Sequence, residues 1–372
     1  MTSALFSPLA MRGVTLPNRI VLSPMAQYSA VDGAFTDWHI AHLGQMSYSG
    51  AGLVMTESVA VEPIGRGSHS CPGIYGDAQE QSMKRVVEFC RRYGDARTGI
   101  QLTHTGRKGS IRPPWAGRGS LSAAEGGWQV VAPSPLPFDA ASPVPVQLDE
   151  AGLARIKDGF VAAAARAVRA GFDVLELHGA HGYLLHQFLS PLSNQRTDAY
   201  GGDAAGRMRF PLEVAAAVRK VIPDDRVLGM RISASDWAEG GFGLEDAVAF
   251  ATALKALGCD YVCVSSGGLV GTQQIKVSPG YQVPFAAEVR ARTGIATRTV
   301  GLITQAQQAE EIVASGQADM VALGRALLDN PRWGWHAAES LGVKPSYPPQ
   351  YERAGSAVWP GAKILRPQPV EA

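Results

Sequence analysis

Several common functional signatures are missing from this chain. Its four cysteines, Cys71, Cys90, Cys259 and Cys263, follow no zinc or iron–sulfur spacing. They read as small buried hydrophobes in a reducing compartment. No apolar run approaches the roughly 18–20 residues of a membrane span. The stretch from Met1 to Arg12 lacks the apolar core of a secretory signal, so a cytoplasmic location is the expectation. Neither charge dominates, with 34 Lys and Arg against 33 Asp and Glu. Without a basic stripe or a basic amphipathic helix, nucleic acid and membrane are excluded as partners. No Gly-rich dinucleotide turn follows the first strand pattern, where Ser23-Pro24-Met25-Ala26-Gln27-Tyr28 stands instead. No G-x-S-x-G elbow and no Ser-His-Asp arrangement is readable. These absences leave a small-molecule pocket as the place to look for function.

What is present is a large core and a regular alternation. The chain has 372 residues and is 46% hydrophobic, enough for one large domain. Apolar runs of strand length occupy 20–25, 52–58, 98–104, 173–178, 227–232, 261–266, 297–302 and 320–324. Runs rich in Val, Ile and Leu without polar alternation suit a parallel sheet covered on its faces. Helical patterns fall between them at 37–49, 77–93, 149–170, 206–221, 244–257, 284–292, 304–315 and 326–341. Asp149 is a candidate N-cap and Gly171 a candidate C-cap, and Gly94, Gly258 and Gly316 punctuate other helix ends. Eight βα repeats predict an α/β fold, a (β/α)8 TIM barrel, over an open doubly wound sheet. One domain over 1–345 is expected, followed by a Pro-rich tail over 346–372 without a core pattern of its own. Two long insertions, 105–148 and 189–203, leave from strand C-terminal ends and are expected to roof the same mouth.

The strand C-terminal ends carry the chemistry. The stretch Val174-Leu175-Glu176-Leu177-His178-Gly179-Ala180-His181-Gly182-Tyr183 runs from an apolar strand into two histidines and a tyrosine. A zinc site needs further ligands, usually including carboxylate or cysteine. His104 and His186 are candidates, yet no inward Asp stands at the end of strand eight. Two neutral donors to a substrate oxygen, beside Tyr183 as proton donor, suit the residues better. Arg231 lies mid-strand with two readings. It pairs with Glu57 or another interior carboxylate, or it supports an anionic ring system. Gly301 and Gly324-Arg325 end strands seven and eight, where barrels build phosphate sites from backbone amides and a cation. With Gln101, the outline is a phosphate at one edge and a polar heterocycle over the barrel, which is the shape of flavin mononucleotide.

These motifs together resemble the Old Yellow Enzyme family of FMN-dependent ene-reductases, in particular its shorter YqjM-like and xenobiotic reductase branch. The resemblance runs from Leu16-Pro17-Asn18-Arg19 to Gln350-Tyr351-Glu352-Arg353. It rests on Ser23-Pro24-Met25, on Gln101 to Lys108, on His178 to Leu184, on Ser190 to Asn194 with Arg196-Thr197-Asp198 and Tyr200-Gly201-Gly202, on Val300 to Thr304, and on Leu323-Gly324-Arg325. It implies an NAD(P)H-dependent oxidoreductase that reduces activated alkenes, conjugated to a carbonyl or nitro group, by ping-pong hydride transfer through FMN. Ser23, Pro24, Met25, Ala26, Ser58, Gln101 and Arg231 would surround the ring, and Gly301, Gly324 and Arg325 would hold the phosphate. His178 and His181 would bind the acceptor oxygen, Tyr183 would protonate, and Tyr28 would line the substrate side. Arg353 would reach a neighbouring subunit's site in a homodimer or homotetramer. Two positions depart from the branch. Ala26 stands where cysteine is usual, and Ser58 where alanine is common. Rival readings are a larger iron–sulfur dienoyl-CoA reductase, for which the cysteines and length are lacking, a metal-dependent hydrolase, and a flavin-binding module without turnover.

Overall fold

The computed structural model describes residues 3–117 and 119–365. A hairpin, β1 (Leu9–Met11) and β2 (Val14–Leu16), precedes the barrel. The barrel strands are β3 (Ile20–Leu22), β4 (Leu53–Ala60), β5 (Arg97–Thr103), β8 (Val174–Gly179), β9 (Val227–Ser233), β10 (Tyr261–Ser265), β11 (Ala296–Thr299) and β12 (Met320–Leu323). Each pairs in parallel with the next, and β12 pairs with β3 to close the ring. The short β6 (Val131–Ala132) and β7 (Val146–Gln147) pair inside the long insertion. The expected (β/α)8 barrel is therefore the fold.

Two apolar clusters account for its stability. Outward strand residues such as Leu22, Val54, Leu102, Leu175 and Ile232 pack under the helices. Inward residues, Val21, Leu53, Met55, Val174, Val227 and Met320, fill the lower barrel. Met11, Val14 and Leu16 of the hairpin join that inner cluster. The N-terminal end is thus plugged by a hairpin with no counterpart in the sequence reading, because its strands are only three residues each.

Helices follow the strands as α1 (Asp37–Ser47), α2 (Asp77–Tyr93), α3 (Glu150–Ala170), α4 (Leu184–Leu189), α5 (Ala204–Val221), α6 (Leu244–Ala256), α7 (Val283–Thr293), α8 (Ala306–Ala314), α9 (Arg325–Asp329) and α10 (Trp333–Ser340). The cap assignments on α3 hold. Asp149 accepts from Gly152 N at 2.8 Å, and Gly171 adopts a left-handed φ of 99°. One expectation fails. The helix expected over 326–341 is two helices, interrupted at Asn330–Arg332 around Pro331, because proline breaks the amide ladder. The unread α4 is only six residues long and wholly buried.

The tail is more ordered than its composition suggests. Residues 349–354 form a 3-10 turn, and α11 (Ala362–Leu365) follows. Tyr351 stacks on Tyr48 at 5.8 Å, and the Arg332 guanidinium lies over Tyr48, Trp335 and Tyr351 at 5.1, 4.6 and 5.0 Å. Tyr48 closes the helix before β4, so this cluster grips the N-terminal end of the barrel. Residues 366–372 of the expected tail lie outside the described residues.

Candidate active site

Midway up the barrel the interior turns polar. Glu176 on β8 and Arg298 on β11 form an ion pair, both fully buried. Glu176 also accepts from Tyr261 Oη at 2.8 Å and from Gln101 Nε2 at 2.8 Å. Room for the Tyr261 ring comes from Gly229 on the neighbouring strand, where a Cβ would lie 2.3 Å from ring carbons. Gln101 is recognisable in sequence by its place at a strand end. Arg298, in the short run Ala-Thr-Arg-Thr, carries no such signal.

One layer higher the strands open onto the mouth. Here His178 pairs in register with Arg231, and Ser58 with Gln101. A bulge between Met55 and Ser58 shifts the β4 register. Glu57, at that bulge, accepts from Gln27 N at 2.9 Å and lies 3.2 Å from His39 Nε2. The pairing of Arg231 with Glu57 is thereby excluded. Among the described residues Arg231 has no ion pair. Its Nε has no partner, and its Nη1 lies only 3.5 Å from Ser23 Oγ. A 93% buried guanidinium without an anion is costly unless something electron-rich occupies the mouth above it.

The two histidines converge. His178 Nδ1 accepts from Ala180 N at 3.2 Å, which leaves its proton on Nε2. That Nε2 lies 3.3 Å from His181 Nδ1. His181 Nε2 is 2.8 Å from Ser265 Oγ. Ser265 Oγ in turn donates to Gln282 Oε1 at 3.2 Å, so it accepts from His181 Nε2, and His181 Nδ1 accepts from His178 Nε2. Burial, then Arg231, holds both well below the ordinary histidine range, so both are neutral. The Tyr183 ring is 4.6 Å from His178. Burial raises the Tyr183 phenol above its ordinary value, so it is protonated at neutral pH. His104 and His186 do not join this group. His104 lies 2.9 Å from Glu62, and His186 lies 3.0 Å from Asp236 and accepts from Gly182 N at 2.9 Å.

The rim completes the mouth. Ser23 N donates to Leu323 O at 2.9 Å, tying the loop after β3 to β12. Pro24 and Met25 are half-buried and Ala26 is exposed. A Cβ on Gly324 would lie 3.3 Å from Met25 Sδ, so these two meet. Gly301 has φ 121°, and a Cβ there would strike Gln282 Nε2 at 2.8 Å. Only glycine suits that position. Arg325 is exposed beside it. Tyr28, at φ 49°, meets Trp115 of the long insertion edge-on at 5.5 Å. The two insertions brace one another, with Gln195 N donating to Ser134 Oγ at 2.9 Å and Arg196 to Pro133 O at 3.0 Å. Of the expected site residues only Arg353 stands apart. It is exposed, in the turn that grips the opposite end of the barrel. Asp236 and Gln282 support the site without a sequence signal, since each is an ordinary polar residue, and Ser265 joins them from the end of the sixth barrel strand.

Residues 4–343 match the family described as NADH:flavin oxidoreductase / NADH oxidase. The chain belongs to this family, that of Old Yellow Enzyme. It is an FMN-dependent oxidoreductase that draws on a nicotinamide reductant. The NADPH dehydrogenase of Listeria innocua serovar 6a is 45% identical over 354 residues, covering 95% of this chain and 99% of the relative. That of Geobacillus thermodenitrificans is 44% identical over 355 residues, with the same coverage. Among solved structures, morphinone reductase superposes with a TM-score of 0.77 at 30% identity, over 94% of this chain and 93% of that one. The same enzyme has also been solved in complex with tetrahydroNAD. No described helix is long and apolar enough to cross a membrane.

Proposed function

We propose that the chain is an ene-reductase that takes hydride from NADPH or NADH and reduces the C=C bond of α,β-unsaturated carbonyl or nitro compounds. The observation that carries this reading is the hydrogen-bonded pair His178 Nε2 and His181 Nδ1, 3.3 Å apart, beside the protonated Tyr183. An acceptor oxygen entering there would take the His178 Nε2–H, and a His181 Nδ1–H once the Ser265 hydroxyl turns from Gln282 to donate to His181 Nε2. Two such neutral donors suit an oxygen that gains negative charge, and a high-pKa phenol suits protonation of carbon. The names of the relatives, NADPH dehydrogenase and morphinone reductase, support both the reductant and the class of acceptor.

The mouth fits FMN. The Arg231 guanidinium, which has no anion and an unpartnered Nε, would with Gln101 hold the ring's polar edge, and Ser23 and the backbone of Pro24, Met25 and Ala26 its rim, with Ser58 alongside. Gly301, whose Cβ would meet Gln282, and Gly324 with Arg325 would take the phosphate. When bound, FMN supplies hydride transfer between the nicotinamide and the alkene. His178 and His181 bind and polarise the acceptor oxygen. Tyr183 gives its proton to the α-carbon, and Tyr28 walls the substrate side. Because the tail grips the far end of the barrel, Arg353 does not serve its own chain's mouth. In a homodimer or homotetramer it would act in a neighbour's site. Arg353→Ala should then raise KM for alkene in the oligomer, and an unchanged KM would remove that role.

The reading is tested by the visible spectrum of the purified protein, followed by anaerobic NADPH and then 2-cyclohexenone. A yellow protein that bleaches and then regains colour with the alkene is expected. A colourless protein, or a bleached one that the alkene leaves bleached, would reject it.

A further inference from the structure

Lys108 has no place in the mechanism above, yet its surroundings are specific. It ends a short 3-10 turn, Gly106–Lys108, just beyond β5. Its ammonium donates to His181 O at 2.8 Å and to Gly268 O at 2.7 Å. The same ammonium faces the Phe138 ring at 4.7 Å and the Tyr183 ring at 5.7 Å. Among the described residues it forms no ion pair with a carboxylate. Two carbonyls and two ring faces are what offset its charge.

A fixed cation of this kind is a poor structural choice. Withdrawing an ammonium from water is unfavourable, and carbonyls offset it only in part. The charged groups around it do not help. Arg107 is adjacent, and Arg231 lies across the mouth and acts on the same histidines and on Tyr183. His178, His181 and His186 face the site uncharged or paired, and Asp236 acts on Arg107 and is itself occupied by His186 and Ser190. Tyr28 and Cys71 also lie within electrostatic reach of Tyr183. Among these groups the one that becomes an anion during the proposed reaction is Tyr183.

We propose that Lys108 is a positioning residue for protonation of the alkene, holding a positive charge against Tyr183 and fixing the His181–Tyr183 turn through the His181 carbonyl. The inference rests on the ene-reductase reading. In the step concerned, hydride arrives at the β-carbon and the Tyr183 O–H bond breaks, its proton passing to the α-carbon. The C=C bond becomes single, and the phenolate left behind recovers a proton from water. The nearby ammonium lowers the cost of that phenolate, and it does so without touching the substrate. The turn also needs fixing, because His181 has φ 56°, an unfavourable region for a residue with a side chain.

Charge and position make separable predictions. Burial, then Arg107, lowers the Lys108 ammonium to about 8. The ammonium is present below that pH and lost above it. The alkene half-reaction should therefore be flat toward neutral pH and fall above about 8, while flavin reduction by NADPH should not follow the same limb. The experiment is anaerobic stopped-flow of both half-reactions on the FMN-loaded wild type, Lys108→Met and Lys108→Arg, with 2-cyclohexenone as acceptor. Lys108→Met should slow reoxidation at pH 7 by about tenfold or more, the scale of one pK unit at the proton donor, and abolish the alkaline limb. Its flavin reduction should stay within about twofold. Lys108→Arg should keep most of the rate and move the limb upward, because arginine stays charged. Reoxidation and limb unchanged in Lys108→Met would overturn the role, as would equal slowing of both half-reactions. A wild type whose reduced flavin the alkene does not reoxidise would instead reject the ene-reductase reading, and the inference with it.

Discussion

Two layers of this barrel bury arginine, and they treat it in opposite ways. In the middle layer Arg298 is fully buried against Glu176, which also takes bonds from Tyr261 and Gln101. One layer up, Arg231 is 7% exposed and has no carboxylate; Nε lacks a hydrogen-bond partner in both arginines, so the carboxylate is what separates them. The lower arginine is compensated by the chain itself and belongs to the fold. The upper one waits for a partner the chain does not contain, and belongs to the site. The half-buried Lys108 follows the pattern of the upper layer.

Substitutions can break this comparison in order of effect. Glu176→Gln leaves Arg298 buried without its anion, so unfolding in denaturant should show a loss of about 3–5 kcal/mol, with Arg298→Met somewhat milder because it leaves Tyr261 and Gln101 as donors to Glu176. Arg231→Leu strands no carboxylate, so stability of the apoprotein should change by only about 1 kcal/mol. FMN retention through gel filtration should nevertheless fall sharply. If Arg231→Leu destabilised the apoprotein as much as Glu176→Gln does, the distinction between the layers would be wrong. The smallest effect belongs to the rim. Ala26→Cys adds a soft thiol contact worth up to about 1 kcal/mol, which for a two-electron couple is a shift of about 20 mV in flavin potential. No change in potential or kinetics would show that the position is neutral.

The fold was legible because eight apolar runs and their helices repeat along the whole chain, and such repetition survives errors of a few residues at each end. The plugging hairpin and α4 were missed because three- and six-residue elements carry no periodic signal. Pro331 was present to be read as a break within 326–341. At the site, residues at strand C-terminal ends were found together, since the barrel topology places all such ends at one mouth. What sequence does not carry is pairing. Whether Arg231 meets Glu57 depends on a β4 bulge and on His39, both invisible in one dimension. The supporting roles of Ser265, Asp236 and Lys108 likewise arise from contacts between different strand-end loops.

The account turns on Tyr183 as the proton donor beside a paired-histidine oxygen site. The direct measurement is anaerobic stopped-flow of Tyr183→Phe, following flavin reduction by NADPH and reoxidation by alkene separately. Reduction within about twofold of wild type and reoxidation slowed by about 100-fold or more are expected for loss of a general acid used in one half-reaction alone. Reoxidation at the wild-type rate, with flavin reduction impaired instead, would contradict the account.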